Sequence, residues 1–506
     1  MKEPRTILEL LSTGEEKSAL EAPGGKPSSY RELRAHVFET IDRLNAMGIG
    51  RNDPVAIVLP NGPAMASAFV AVASAATAAP LNPAYREEEL EFYLGDLKAK
   101  LLLLDRDTGA AARKVADRLG IPVAEIEESP DDPAGCFRIG GPASGTKASQ
   151  PGPALAEDVA LVLHTSGTTS RPKIVPLTHE NVCASAVNVA VSLSLAPNDR
   201  CLNVMPLFHI HGLIAAVLAS LSAGASVCCT PGFNALKFFS WMDETRPTWY
   251  TAVPTMHQAI LARAERNRET IARNPLRFLR SSSASLPPQV MTALERTFGA
   301  PVIEAYGMTE AAHQMAANPL PPRARKPGSV GVAAGPEVAI MDEEGNLLPP
   351  EVAGEVVIRG SNVTPGYQNN PTANASAYTR GWFRTGDHGV LDGEGYLRLT
   401  GRLKEIINRG GEKISPREVD EVLLDHPAVA QAVTFAIPHE KLGEDVGCAV
   451  ILKEGVTASE SEIRDYAAKR LADFKVPRRV LFLEEIPKGP TGKLQRIGLA
   501  EKLGLA

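Results

Sequence analysis

The sequence predicts an α/β protein built from layered α/β subdomains and a small β subdomain, followed by a small α+β domain. Three observations predict it. Helical and strand signals alternate over residues 28–127, and the alternation resumes at Val159 and runs to about residue 400. Glycine turns around Gly366, Gly381 and the DGEG run 392–395 then punctuate a segment of antiparallel β character. After Gly401 the pattern changes once more, to roughly 100 residues of mixed helix and strand, enough for an independent unit.

The elements can be taken in order. Residues 30–47 carry the apolar spacing of an amphipathic helix. VAIVL (55–59) reads as a buried strand that stops at Pro60-Asn61-Gly62, and Leu101 to Leu104 as another. Residues 64–81 are mainly alanine and serine with Pro80 near the end, which suits a buried helix running into a short strand better than a membrane span. Residues 128–156 are rich in Pro, Gly, Ser and Ala and read as a mobile surface linker inside the first domain. EVVI (355–358) reads as a strand. Ser415-Pro416-Arg417-Glu418 puts Ser at the N-cap, Pro at N1 and Glu at N3 of a helix to residue 424. Strands near 430–437 and 448–453 and a helix over 462–472 complete the small domain. The domains expected are 1–400, a hinge at 401–404, and 405–506.

Composition narrows the function. With 506 residues, the chain is long enough for more than one core. The 53 basic and 59 acidic side chains leave a formal charge of −6, so nothing draws it generally to nucleic acid or an anionic membrane. A polyanionic ligand must therefore meet a local site. The six cysteines form no CxxC pair and no zinc spacing, which fits reduced, buried thiols in a cytoplasmic protein. The first residues lack the apolar core of a secretory signal, and the last three are not a peroxisomal address.

Chemistry concentrates in a few motifs. LHTSGTTSRPK (163–173) follows an apolar strand and gathers small hydroxyl residues and a glycine ahead of Arg171 and Lys173. Such a loop can turn backbone N–H groups and hydroxyls towards phosphate oxygens. It is not a Walker A loop. YGMTE (306–310), GWFRTGD (381–387), GRLKE (401–405), RGGEKI (409–414) and PTGK (490–493) follow in that order.

These six motifs resemble those of the adenylate-forming superfamily, which includes acyl-CoA synthetases, 4-coumarate–CoA ligases, luciferases and peptide-synthetase adenylation domains. The resemblance spans essentially the whole chain. It implies a large adenylate-forming N-terminal domain and a small mobile C-terminal domain, with ATP, Mg²⁺ and the co-substrate coenzyme A. By resemblance, Thr165, Ser166, Gly167, Thr168, Thr169 and Lys173 cradle the phosphates of ATP. Glu310 and Thr165 stand near the metal. Ala284, Ser285, Glu304, Ala305, Tyr306, Gly307 and Thr309 bind ATP or AMP, with Ser283, Ala284, Ser285 and Tyr306 as walls of the adenine site, Asp387 holds the ribose and Arg402 approaches ribose or phosphate. Lys493 touches the acid carboxylate and the α-phosphate during adenylation. Lys404 aligns with the hinge, whose rotation would exchange Lys493 for Arg409, Gly410, Gly411 and Lys413 at the thiol-delivering face.

The acid pocket is where members differ. MPLFHIHG (205–212) matches the family's histidine-bearing motif beside the acyl pocket, and no Asp for an amino-acid ammonium occurs there. The 306–322 stretch YGMTEAAHQMAANPLPP and the RSSSAS run (280–285) resemble oxalate–CoA ligases more closely. That implies an acid site of His209, Ser283 and His313, with His211 left open between contact and packing. Burying the second carboxylate of oxalate unpaired would be prohibitive, so such donors are needed. The expected reaction joins oxalate, ATP and CoA into oxalyl-CoA, AMP and pyrophosphate. A 4-coumarate-like, malonate or short-chain acid ligase is the alternative, and a non-catalytic nucleotide-binding protein the remote one.

Overall fold

The computed structural model describes residues 3–12, 14–107, 109–129, 131–141, 146–165, 172–487 and 496–505. Among these, two large sheets carry the N-terminal part. The first is nine-stranded, and its centre is parallel: Ser18–Glu21, Ser226–Cys229, Arg200–Asn203, Trp249–Ala252, Phe278–Ser281 and Val302–Met308 lie side by side. The second is seven-stranded, with Leu101–Asp105, Pro54–Val58, Thr77–Pro80 and Val159–Thr165 parallel at its centre.

One continuous apolar core joins the inner faces of both sheets through Pro63–Ala73, His179–Ser192 and His211–Leu218. Pro63–Ala73 is buried at every position from Ala64 on. Its alanines have no polar face to show because the helix is sandwiched on all sides. The predicted helix-then-strand reading of this stretch is observed, with Thr77–Pro80 as the strand. The helix predicted over 30–47 is Tyr30–Ala46, opened by a reciprocal Ser29–Glu32 capping box.

Within the expected linker, Arg138–Ile139 pairs with Val123–Glu127, and Phe137 is buried edge-on against His36. The turn-forming composition of this segment does not reveal its single aromatic anchor.

A five-stranded antiparallel sheet (Glu337–Met341, Gly354–Arg359, Tyr378–Thr379, Trp382–Leu391, Leu397–Arg402) forms the small β unit. The C-terminal unit is a second five-stranded sheet around the long pair Val429–His439 and Gly443–Leu452, covered by Pro416–Leu424 and Glu460–Ala468. Ser415 caps Pro416–Leu424 as predicted, accepting from the Glu418 N–H. The Glu418 carboxylate turns instead to Lys475, 2.7 Å away. The described cysteines are all free; five are buried and Cys136 is partly so. Among the described residues no helix is long and apolar enough to cross a membrane.

Candidate active site

The C-terminal ends of the parallel strands in the nine-stranded sheet carry the segments singled out by sequence. Arg200–Asn203 leads into 205–212, Phe278–Ser281 into 282–285, and Val302–Met308 into Glu310. Open α/β sheets place ligands at such ends, because the loops there converge without backbone pairing to occupy them.

Val302–Met308 and His313–Ala317 form a hairpin, with Gly307 opposite Gln314 and Met308 opposite His313. Its tip brings Tyr306, Thr309, Glu310 and His313 together. Gly307 is required there, since a Cβ would overlap the His313 carbonyl oxygen. Ala312 and His313 have φ of 46° and 107°, and Ser283 on the neighbouring loop has φ of 71°. Each such conformation costs a non-glycine residue about 1–3 kcal/mol, and such strain clusters at functional sites.

The nucleotide-type residues form two connected groups. In the first, the Tyr306 hydroxyl donates to Asp387, and Arg402 Nε lies 3.0 Å from the other Asp387 oxygen. The cross-strand pairing of Asp387 with Arg402 sets that geometry. Burial and then the Asp387 charge push the Tyr306 phenol well up, so it remains a donor. Asp387 in turn raises Arg402.

In the second group, Glu310 is buried and accepts from the Tyr367 hydroxyl at 2.9 Å. Lys173 Nζ sits 4.4 Å over the same Tyr367 ring, and Lys173 pairs with Thr165 across the strand. Burial raises the Glu310 carboxyl, while its own backbone N–H, Tyr367, Arg402 and Lys173 pull it back down. Tyr367 was not singled out by sequence. It follows a glycine in an unremarkable turn, and only the fold lays its ring between Lys173 and Glu310.

A buried carboxylate such as Glu310 could hold Mg²⁺ that arrives with phosphates, because Mg²⁺ takes one or two carboxylates and completes its shell from substrate and water. Among the described residues there is no cluster of three or more His, Cys, Asp or Glu side chains that could hold a metal ion.

Glu304 is buried on the same strand. Its Oε1 accepts from the Leu286 N–H at 2.9 Å, and burial pushes its pKa up to about 7 against the pull of Arg417. Ala305 receives the Ser282 hydroxyl on its carbonyl, at 2.9 Å. Ala284 is exposed and Ser285 half-buried on the loop between.

The acid-type residues form a third group. His211 Nδ1 is 3.0 Å from Ser283 Oγ, and its Nε2 is 2.6 Å from Thr251 Oγ1 and 3.3 Å from Arg280 Nη1. The His313 ring is 5.1 Å from the His211 ring. The His211 backbone N–H donates to His209 Nδ1 at 3.3 Å. His211 opens a π-helical turn, His211–Leu218, and a Cβ at Gly212 would run into the Pro206 carbonyl. So His211, left open by sequence, is central to this group. Arg280, Thr251 and Gln314 stand behind this group, with no signal in their own segments that marks them for it. An apolar cavity of about 230 Å³ shares Pro206, Leu207 and Phe208 of the same segment, and is also lined by Met65, Phe233 and Met256.

In the small domain, Arg409 is paired with Asp445 at 2.8 Å, and Gly410 and Gly411 form the turn between Ile407–Arg409 and Glu412–Ile414. Lys413 lies 3.9 Å from Glu343 of the β unit. Lys404 sits in the exposed turn after Leu397–Arg402, where the Leu403 N–H donates to Gly386. Ser166, Gly167, Thr168, Thr169 and Lys493 lie outside the described residues.

A parallel-sheet ligand edge with paired Tyr, Asp and Arg beside a buried Glu defines a nucleotide-handling enzyme, and the chain belongs to the AMP-binding enzyme family. The family model matches residues 11–368, and that of the AMP-binding enzyme C-terminal domain matches 418–493. Among curated relatives, the oxalate–CoA ligase of Arabidopsis thaliana is 47% identical over 489 residues, 95% of this chain and 94% of that one. The oxalate–CoA ligase of Saccharomyces cerevisiae is 43% identical, covering 89% and 87%. Among solved structures, ATP-bound MatB from Rhodopseudomonas palustris superposes with a TM-score of 0.88 at 29% identity, covering 98% of both chains. The apo form of the same protein gives 0.79.

Proposed function

We propose that this AMP-forming acid–CoA ligase takes oxalate. The observation that carries the reading is the polar acid-side group, with Ser283, His211 and His313 gathered at the strand ends where an apolar acid would want apolar walls. The relatives named oxalate–CoA ligase support it, at 43–47% identity over most of the chain. One oxalate carboxylate would attack the α-phosphorus of ATP and expel pyrophosphate. The CoA sulfur would then attack the acyl carbon and expel AMP.

The roles proposed here draw on the geometry of Tyr306, Asp387, Arg402, Glu310 and Lys173 and, for Ser166 to Thr169, Lys404 and Lys493, on the family resemblance. Asp387 accepts from ribose hydroxyls, held by Tyr306 and Arg402. Lys173 and the 165–169 loop meet the leaving phosphates, and Arg402 offsets charge near the α-phosphate. Glu310 and Thr165 would hold Mg²⁺, which supplies charge neutralisation to the phosphates. Lys493 bridges the acid and the α-phosphate, a task suited to a flexible ammonium. Rotation at Lys404 would then bring the Arg409–Lys413 hairpin forward for the thiol step. The better superposition on the ATP-bound neighbour than on its apo form supports reading the present domain arrangement as a nucleotide-binding one.

The test is acid-dependent ATP–pyrophosphate exchange with oxalate, malonate, 4-coumarate and a short-chain acid. Oxalate should give the highest kcat/KM, and His313→Ala should remove it. Exchange with 4-coumarate or a short-chain acid and none with oxalate would overturn the substrate assignment in favour of the second reading, an apolar acid using the Phe208–Met256 cavity. Lys493→Ala should abolish exchange; unchanged exchange would refute the role given to that lysine.

A further inference from the structure

We propose that Arg280 governs acid specificity from inside the core, acting through His211 on the hydroxyl of Ser283. Arg280 is a positioning residue in this scheme and does not itself touch the acid. The proposal rests on the oxalate reading only for the identity of the acid.

Arg280 lies in Phe278–Ser281, a central parallel strand, and is 0% exposed. A guanidinium taken out of water is costly unless an anion answers it. Among the described residues no carboxylate pairs with it. Its Nη2 donates to Gln314 Oε1 at 3.2 Å, Nη1 meets His211 Nε2, and Nε has no hydrogen-bond partner. Gln314 is itself pinned in that orientation, since its Nε2 lies within reach of the Asn188 and Ala334 carbonyls and the Ser192 hydroxyl. Burial lowers the guanidinium pKa to about 9, which still leaves it protonated at neutral pH.

The direction of the relay follows from donor inventory. Arginine can only donate, so the nitrogen it faces must accept. His211 Nε2 is therefore unprotonated, and the Thr251 hydroxyl donates to it as well. A neutral imidazole carries its one proton on the other nitrogen, so Nδ1–H donates to Ser283 Oγ. The Ser283 oxygen then serves as acceptor inside the protein, and its hydroxyl proton is left to point outward. Ser283 is held at φ 71° and is only half-buried, so that proton reaches the acid side.

The chemical consequence is selectivity. A buried positive charge, one imidazole away and without its own carboxylate, favours an acid that brings a second negative group next to the reacting one. A monocarboxylate gains nothing from it. Arg280 also keeps His211 neutral, because an imidazolium would place two cations face to face.

The experiment uses the full-length chain. Arg280→Gln and Arg280→Lys are compared with the parent in pyrophosphate exchange on oxalate and acetate, with ATP kinetics in parallel. Arg280→Gln should lower kcat/KM for oxalate by about 10- to 100-fold, mostly through KM, and by at least about tenfold more than for acetate. The KM for ATP should stay within about twofold, and Arg280→Lys should recover part of the loss. Equal losses on both acids, or no loss, would overturn the proposal.

Histidine ¹⁵N spectra give a readout independent of the acid. The parent should show His211 neutral with Nδ1 protonated at neutral pH, and an Nε2–H tautomer or imidazolium there would refute the relay even if oxalate is the substrate. A correct tautomer in a parent that ignores oxalate would refute the substrate reading and leave the relay standing. If Arg280→Gln does not fold, His211→Asn replaces it. An asparagine amide can keep a donor towards Ser283, so it should retain more oxalate activity than His211→Leu; equal loss counts against the relay.

Discussion

Replacing Glu304 by Gln should flatten the dependence of stability on pH. The Glu304 carboxyl is buried, with one oxygen on the Leu286 amide and the other without a hydrogen-bond partner. Burial lifts its pKa from the ordinary 4.5 to about 7. The folded state thus binds the proton more tightly than the unfolded chain. Its contribution is fully present below about pH 4.5 and is lost as pH rises towards 7, then stays lost above it. The gap from 4.5 to about 7, at about 1.4 kcal/mol per pH unit, amounts to roughly 3 kcal/mol. For an N-terminal part of roughly 400 residues with an unfolding entropy near 2.1 cal/mol/K per residue, that is roughly 3 to 4 °C in Tm. Glutamine keeps the acceptor for Leu286 but adds a buried N–H pair, which costs about 1–3 kcal/mol at every pH. The informative quantity is therefore the slope. Thermal melts of parent and Glu304→Gln across about pH 4.5 to 8 should show the parent losing that increment relative to the variant. Identical slopes would refute the placement of a largely neutral carboxyl at this position.

Other outcomes are equally specific. Tyr306→Phe removes the donor to Asp387 and should raise the KM for ATP about 5- to 20-fold with a smaller effect on kcat, measured by initial rates. Glu310→Gln should lower pyrophosphate exchange by about 10²- to 10³-fold, while Tyr367→Phe, which only removes a hydrogen bond to that carboxylate, should cost about tenfold or less. Gly307→Ala should destabilise the chain by several kcal/mol in denaturant titration, because its Cβ meets the His313 carbonyl, whereas Gly393→Ala, with open space around it, should stay within about 0.5 kcal/mol.

Much of the fold was legible in the sequence, because its signals are local. The Ser29 and Ser415 caps, the alanine-rich helix ahead of Thr77–Pro80, and the apolar runs of the parallel strands each announce themselves within a dozen residues. Edges blur for the same reason: the strand expected to begin near 448 is Gly443–Leu452, its start set by cross-strand pairing with Val429–His439. The motif residues Tyr306, Glu310, Asp387 and Arg402 were also named from their segments, and the structure connects them as two charged groups.

What the sequence by itself determined is the family, the order of its motifs and hence the adenylating chemistry of the chain, since those depend on residue types at fixed spacings. What only the tertiary structure decided is which side chains stand behind the motifs. Tyr367 reaches Glu310 across 57 positions, and Arg280 and Thr251 reach His211 across 69 and 40. Such contacts have no period and no neighbour in sequence. They arise because segments far apart in the chain, among them parallel strands that end at one edge, are brought together only by the fold.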